Sequence, residues 1–558
     1  MLVLLIRLRA IIRSILQEWE PCSFMWFNKY HLIRITALIA SSLVFLILQT
    51  ADSGLPPILP VMLQPPIADW NKEELDRKPN VIVVLSEAFW DPTQIEGLKF
   101  SRDPIPTFHA LQNKYTNGKM LSPQFGGGTA NVELEVLTGN SMRFLPEDSI
   151  AYETVIKHDV DSLASILSRQ GYTPTAITPF HNWYFDSSNV YRRFGFTRYI
   201  SLEFFNPNEF VGPYIGDHAV AKRIFEETER SQGPDFIFAN TMENHYHYWS
   251  NKFKRNTISI KGNVADEALD ILETYVQGAI GADSMLQEMV EHYSQVKEPT
   301  IIVFFGDHMP YLEKDYYVYK ETKYIKGEDD SDFLQKMHNV PLLVWNNYLP
   351  EGKDNLYMSP SFLSPYILQL AKLKGSDYTD FLSRLSKQIP IIPPKSYYEA
   401  MHIRESDLTE YERWQKSILT GTSSSDSDYN GSDEMGEMKA PLAETYTMGY
   451  GDPVIQSVSP EVLLQMQTGE KLIADLLKKT ITIRGGRFGI GSVVFANGKP
   501  LETTWHTEES LSAVIPKDLL RKPGKLELQV RVVDEKENVL AQSKSVDLYI
   551  TSKTSKQP

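Results

Sequence analysis

Two stretches of the chain are apolar at nearly every position and stop abruptly at polar residues. They are Asn80-Val-Ile-Val-Val-Leu-Ser-Glu87 and Thr300-Ile-Ile-Val-Phe-Phe-Gly-Asp307-His308. Short continuous apolar runs of this kind suit central strands of a parallel sheet covered on both faces. Further strand-like runs lie at Thr175–Thr178, Asp235–Ala239 and Val340–Trp345. Between them, segments such as Ser162–Gln170 and Val264–Tyr293 carry apolar residues at three- and four-residue spacing. The alternation predicts an α/β domain with a doubly wound, mainly parallel sheet over residues 79–420. Gly126-Gly-Gly-Thr129 leads into Ala-Asn-Val-Glu-Leu-Glu-Val-Leu-Thr-Gly139, which predicts a helix opening at Thr129.

Elsewhere the pattern changes character. Ile35–Leu48 carries no charge, and its apolar surroundings extend to Ala51. A span of about 17 to 25 residues crosses a bilayer, so a transmembrane helix is expected at about 33–51 within a membrane-anchoring segment, 1–53. Arg7, Arg9, Arg13, Lys29 and Arg34 precede it while Asp52 and Asp69 follow, which places the large domain on the extracellular side of the cell membrane. Residues 54–78 are Pro-rich and read as an extended linker. Residues 421–450 include Thr422-Ser-Ser-Ser-Asp-Ser-Asp, too polar to bury a core, and read as an acidic disordered linker. Over 451–558, short strand patterns at Pro453–Val458, Thr480–Arg484, Ser492–Ala496, Ser512–Ile515 and Lys525–Asp534 predict a small β-sandwich.

At 558 residues the chain exceeds what one hydrophobic core supports, consistent with this division. A formal net charge of −15 argues against nucleic acid as a partner. The only cysteine, Cys22, precludes an intramolecular disulfide and any thiolate cluster.

In open α/β sheets, ligands gather at the carboxyl ends of the strands. Glu87, Asp307 and His308 fall there, offering two hard oxygen donors and an imidazole suited to Mn²⁺ or Mg²⁺, with Zn²⁺ less favoured without thiolates. Thr129 follows three glycines that let a phosphate approach the backbone, and a helix N-terminus attracts anions. Its hydroxyl becomes a nucleophile when a metal activates it. The alternative role for Thr129 is a helix cap, although Val132 stands where a capping box needs Glu or Gln. His245 could donate a proton to a leaving oxygen or neutralise phosphate charge.

Four motifs, in order, resemble the lipoteichoic acid synthase branch of the alkaline phosphatase/sulfatase superfamily: Ser86-Glu87-Ala-Phe-Trp-Asp, Phe125-Gly-Gly-Gly-Thr129-Ala-Asn-Val-Glu, Glu243-Asn-His245-Tyr and Gly306-Asp-His308. The resemblance implies a phosphoglycerol transferase that cleaves phosphatidylglycerol outside the cell. Glu87, Thr129, Asp307 and His308 would hold Mn²⁺ or Mg²⁺, Thr129 would carry the phosphoglycerol, and His245 would contact the phosphate. The acceptor implied is polyglycerol phosphate, a glycolipid or another glycan. His181 and Trp183 match the region where the family contacts glycerol; Ser187 stands where its arginine is expected, and Arg192 is the nearby substitute. Pro453-Val-Ile-Gln-Ser-Val-Ser-Pro460 and Ile481-Thr-Ile-Arg-Gly-Gly-Arg-Phe-Gly resemble an immunoglobulin-like domain of the IPT/TIG type. A formylglycine sulfatase would need a Cys/Ser-x-Pro-x-Arg context, which Gly-Gly-Gly-Thr-Ala-Asn does not offer. A phosphodiesterase of the same superfamily, or an inactive wall-binding protein, remain as alternatives.

Overall fold

The computed structural model describes residues 66, 70–350, 352–421, 445–465 and 479–552. The membrane span expected at 33–51 lies outside them; among the described residues no helix is long and apolar enough to cross a membrane.

The principal sheet has nine strands. In chain order they are β1 (Asn80–Ser86), β2 (Thr116–Leu121), β3 (Thr173–Thr178), β4 (Arg198–Ser201), β5 (Asp235–Asn240), β6 (Thr300–Gly306), β7 (Asn339–Asn346), β8 (Asn355–Met358) and β9 (Thr447–Met448). Their spatial order is β8-β2-β7-β6-β1-β5-β3-β4-β9. The pairs from β6 through β9 by way of β1 are parallel, as the apolar runs predict. The strand expected at Val340–Trp345 is present but antiparallel to both β6 and β2, so the sheet is mixed.

Side chains of Val81, Ile82, Val83, Val84 and Leu85 are all fully buried, alternately on the two faces. Each contributes about 1.5–3 kcal/mol of burial, which makes a slip of this strand expensive. On one face, Val81, Val83 and Leu85 meet the helices Thr129–Thr138, Leu163–Ser168 and Leu363–Leu370. On the other, Ile82 and Val84 meet Pro106–Gln112, Asp217–Arg230 and Asp266–Ser294.

The resulting register aligns three strand ends. Ser86 pairs with Gly306, and Leu85 pairs with Asn240. The residues that follow each strand, Glu87, Asp307 and Thr241, therefore emerge at one edge. Gly306 is required there: a Cβ on it would lie 2.1 Å from the Phe89 carbonyl oxygen, so any side chain would push the turn after Glu87 away from Asp307.

Residues 445–450 fall within the expected linker, yet Thr447–Met448 pairs with Arg198–Tyr199 and extends the sheet. Here Tyr446 and Met448 supply apolar surface against the main core, and the Tyr446 hydroxyl donates to the Ser188 carbonyl at 2.8 Å. The polar run at 422–444 lies outside the described residues.

The C-terminal part forms two β-sheets. One contains Val454–Ser459, Lys479–Gly486, Ser510–Ile515 and Glu502–Thr507; the other is built on Gly524–Val533. Ile481, Ile483 and Leu511 of the first share a core with Val494, Leu528 and Leu548 of the second. Contact with the α/β part is extensive. Val532 and Ala541 join the same buried cluster as Ile200, Phe204 and Phe205. Backbone hydrogen bonds run from Ile490 to Phe205 and from Gly491 to Glu203, each 2.9 Å.

Candidate active site

Thr129 is the first residue of its helix, and the N-cap is Gly128, with φ of 84°. That left-handed conformation favours glycine, and a Cβ there would meet the Gln124 side chain at 2.3 Å. The Thr129 hydroxyl makes no capping bond; it donates to Asp307 Oδ2 at 2.8 Å. This excludes the capping role. The glycine run is tied to the segment after β6 by Gly126 N–H, which donates to the Met309 carbonyl at 3.1 Å.

Asp307 is fully buried. Its Oδ1 accepts from the backbone N–H groups of Ala88 (2.8 Å) and His308 (2.9 Å), leaving Oδ2 to face Thr129. His308 Nε2 lies 3.2 Å from Asp307 Oδ2 and 3.8 Å from Glu87 Oε1. His308 Nδ1 is 3.0 Å from the Met309 carbonyl, which assigns the ring proton to Nδ1 and the lone pair to Nε2. That Nε2 is buried and has no hydrogen-bond partner among the described residues. Donor atoms of Glu87, Asp307 and His308 all lie within 4.8 Å of one another. A buried imidazole lone pair aimed at two carboxylates fits a divalent cation of the oxygen- and nitrogen-preferring class. Burial, reinforced by neighbouring Asp307, holds the Glu87 carboxyl well above the usual carboxylate range. A cation is the partner that would stabilise its ionised form.

His245 sits beside this cluster. Its Nδ1 lies 2.8 Å from the Tyr246 carbonyl and 3.1 Å from the Tyr214 hydroxyl. The carbonyl can only accept, so the Nδ1 proton is committed and Nε2 is the exchangeable position. Burial lowers the pKa of His245, and the Lys252 ammonium adds to the effect, so the neutral ring dominates at pH 7.

Lys252 escaped the reading of the sequence. It is 4% exposed, donates to the His245 carbonyl, and lies over the rings of Tyr248 (4.9 Å) and Phe253 (5.1 Å). Burial pulls its ammonium down to about pH 8, opposed by Glu87, Glu243 and Asp217. Glu243 and Asp217 form a second buried carboxyl pair; burial raises Glu243 to about 7 and holds Asp217 well above the usual carboxylate range. Nothing local marks Trp249-Ser-Asn-Lys252 as a buried segment, so only chain folding reveals the lysine.

The aromatic segment before α/β strand β4 borders His245. Phe180 stacks at 6.5 Å on His245, and His181 stacks at 5.4 Å on Trp183. The C-terminal part reaches this segment: Asp534 accepts from Asn182 at 3.2 Å, Glu535 lies 3.5 Å from His181, and Lys536 lies 3.9 Å above the Trp183 ring. Arg192 is exposed on the helix Ser187–Arg193, and its charge acts on Tyr446. The structure thus brings Glu87, Thr129, Asp307 and His308 together, sets His245 beside them and His181 and Trp183 at the rim, and gives Arg192 no contact with the carboxylates.

A buried acidic and imidazole cluster with a hydroxyl thus lies at the strand ends of an alkaline phosphatase-like α/β sheet. The chain belongs to the sulfatase family, whose model matches residues 79–373. It is 38% identical over 313 residues to a putative cyclic beta-1,2-glucan modification protein of Rhizobium meliloti (strain 1021), covering 55% of this chain and 48% of that one. It is 24% identical over 325 residues to a lipoteichoic acid synthase of Staphylococcus saprophyticus, covering 55% of this chain and 48% of that one. The chain therefore spans about half the length of the curated relatives it matches. Among solved structures, the Streptococcus pyogenes phosphoglycerol transferase GacH, in complex with sn-glycerol-1-phosphate, shares the fold with a TM-score of 0.52. Its sequence identity is 24%, over 62% of this chain and 87% of that one.

Proposed function

We propose that this chain is an extracytoplasmic, membrane-anchored phosphoglycerol transferase. It takes glycerol phosphate from phosphatidylglycerol and passes it to a hydroxyl of a polyglycerol phosphate, glycolipid or glycan acceptor. One observation carries the proposal: the Thr129 hydroxyl is hydrogen-bonded to a carboxylate that also belongs to a metal-competent cluster. The similarity to a lipoteichoic acid synthase and to a glucan modification protein supports the choice of donor and acceptor class.

Glu87, Asp307, His308 and Thr129 would hold Mn²⁺ or Mg²⁺, which would favour the threonine alkoxide and withdraw charge from a phosphoryl oxygen. Thr129 Oγ1 attacks phosphorus as Asp307 Oδ2 takes its hydroxyl proton; the bond from phosphorus to the diacylglycerol oxygen breaks. His245, in its imidazolium form with Nε2 protonated by the preceding acceptor step, delivers that Nε2 proton to the departing oxygen and becomes neutral. In the second half, neutral His245 Nε2 takes the proton of the acceptor hydroxyl, which attacks phosphorus; the bond to Thr129 Oγ1 breaks as Asp307 Oδ2 returns its proton to that oxygen. The neutral ring favoured by burial suits this second role. His181 and Trp183 would contact the glycerol, and Arg192 would serve the substrate only from the outer rim.

The experiment is peptide mass spectrometry of the digested protein after brief exposure to phosphatidylglycerol and Mn²⁺. A glycerophosphoryl increment on the Thr129 peptide, absent from Thr129→Ala, is the expected result. An unmodified Thr129 with continuing diacylglycerol release would refute the nucleophile. Release of free glycerol phosphate at the same rate with and without every acceptor would favour a phosphodiesterase instead.

A further inference from the structure

Beside the catalytic cluster lies a cleft of about 470 Å³, within the roughly 300–1,000 Å³ of small-molecule sites. Its aromatic walls are Tyr246, Trp249 and Tyr311, and its acidic ones are Glu267, Asp270 and Glu313. Among the described residues, neither lysine nor arginine lines it. Trp249 remains 48% exposed, a costly state for so large an apolar ring unless something covers it.

The cleft and the nucleophile share a wall. Tyr311 stands edge-on to Tyr246 at 4.9 Å, and Tyr246 follows His245 in the chain. On its other side Tyr311 packs against the glycine run: a Cβ on Gly126 would lie 3.0 Å from the Tyr311 Cβ. One layer of side chains therefore separates the cleft from the loop that carries Thr129.

Aromatic faces combined with carboxylates are complementary to a neutral polyhydroxylated ligand. The C–H face of a sugar ring stacks on an aromatic side chain, and its hydroxyls donate to carboxylate oxygens. A polyglycerol phosphate would instead bring phosphates against three carboxylates, with repulsion and no lysine or arginine in the lining to offset it, while burial holds the lining imidazole of His247 toward its neutral form. Resting on the transferase reading above, we infer that this cleft holds the acceptor and that the acceptor is a neutral glycan. Trp249 is the stacking platform, and Glu267, Asp270 and Glu313 accept hydrogen bonds from its hydroxyls.

The test uses the full chain in detergent micelles carrying Thr129→Ala, so that binding is read without turnover. A neutral β-linked gluco-oligosaccharide and a glycerol phosphate oligomer of equal length are titrated calorimetrically. The glycan is expected to saturate the protein while the anionic oligomer binds at least tenfold more weakly. Adding Trp249→Ala should weaken the glycan at least tenfold with an unchanged melting midpoint. In a second variant, Glu267→Lys with Glu313→Lys should invert the preference toward the anionic oligomer. Absence of saturable glycan binding, indifference to Trp249→Ala, or stronger binding of the anionic oligomer that also depends on Trp249 would each overturn the assignment. Glycan binding that depends on Trp249, in a protein that forms no glycerophosphoryl-threonine, would keep the cleft and refute the transferase reading.

Discussion

Asp307 satisfies three groups at once: two backbone N–H donors on one oxygen and the Thr129 hydroxyl on the other. Asp307→Asn keeps the volume but removes a charge and replaces an acceptor with a donor. Bound Mn²⁺, measured by elemental analysis, is expected to fall by at least tenfold, since a lost carboxylate ligand costs a dication heavily. Lys252 is the counterweight to buried Glu87, Glu243 and Asp217. Breaking a buried charge relationship by removing one partner typically costs about 3–5 kcal/mol, so Lys252→Met should destabilise by about 3 kcal/mol at pH 8. Glu243 has a folded pKa of about 7, above its unfolded value, so its contribution is present at low pH and lost as pH rises through 7. Without Lys252 that loss steepens, and urea denaturation should show a smaller penalty at pH 5.5 than at pH 8. Thr129, Asp307 and His308 were legible from the chain because each follows an apolar run or a glycine run. Lys252 was not, because its burial is created by Tyr248, Phe253 and residues distant in sequence.

Between the elements, geometry depends on close backbone approach. Gly306→Ala would place a methyl 2.1 Å from the Phe89 carbonyl, where backbone must yield. A cost of about 1–3 kcal/mol is expected from overpacking, with metal affinity falling in parallel as Glu87 and Asp307 separate. The loop after Glu87 is clamped by His109 on the helix Pro106–Gln112, with Nδ1 2.9 Å from Asp103 and Nε2 3.3 Å from Asp91. Hydrogen bonds that the ring donates to those two carboxylates, Asp103 first, raise the His109 imidazole to about 10. Because the folded value exceeds the unfolded one, the clamp is fully present below pH 6.5 and fades as pH rises toward 10. The site is partly solvated, so its worth is on the order of 1–2 kcal/mol. His109→Gln should lower the urea midpoint at pH 6 and leave it nearly unchanged at pH 10. Strands β1 and β6 could be read from their apolar runs because burial on both faces leaves no other pattern. The antiparallel direction of β7 could not, since a buried strand looks alike in either sense.

For the molecule as a whole, the C-terminal sheets and the α/β part share one buried cluster through Val532, Ala541, Phe204 and Phe205. Such joint burial couples their unfolding. Calorimetry is expected to show a single transition for 70–552, and deletion after residue 444 should strip β9 from the sheet and lower the melting midpoint by at least 5 °C. A second, independent transition for the C-terminal part would contradict this coupling. By itself the chain determined the α/β class, the strand ends bearing Glu87, Asp307 and His308, the helix opening at Thr129, and the strand pattern of the C-terminal sheets. These follow from local periodicity and from the chemistry of residue types, which need no partner to be read. The tertiary structure alone decided that Thr129 donates to Asp307 rather than capping its helix, that Asp534, Glu535 and Lys536 reach the His181–Trp183 segment, and that Lys252 is buried beside His245. Each is a contact between segments far apart in sequence, where hydrogen-bond partners and desolvation are set by packing and leave no periodic trace.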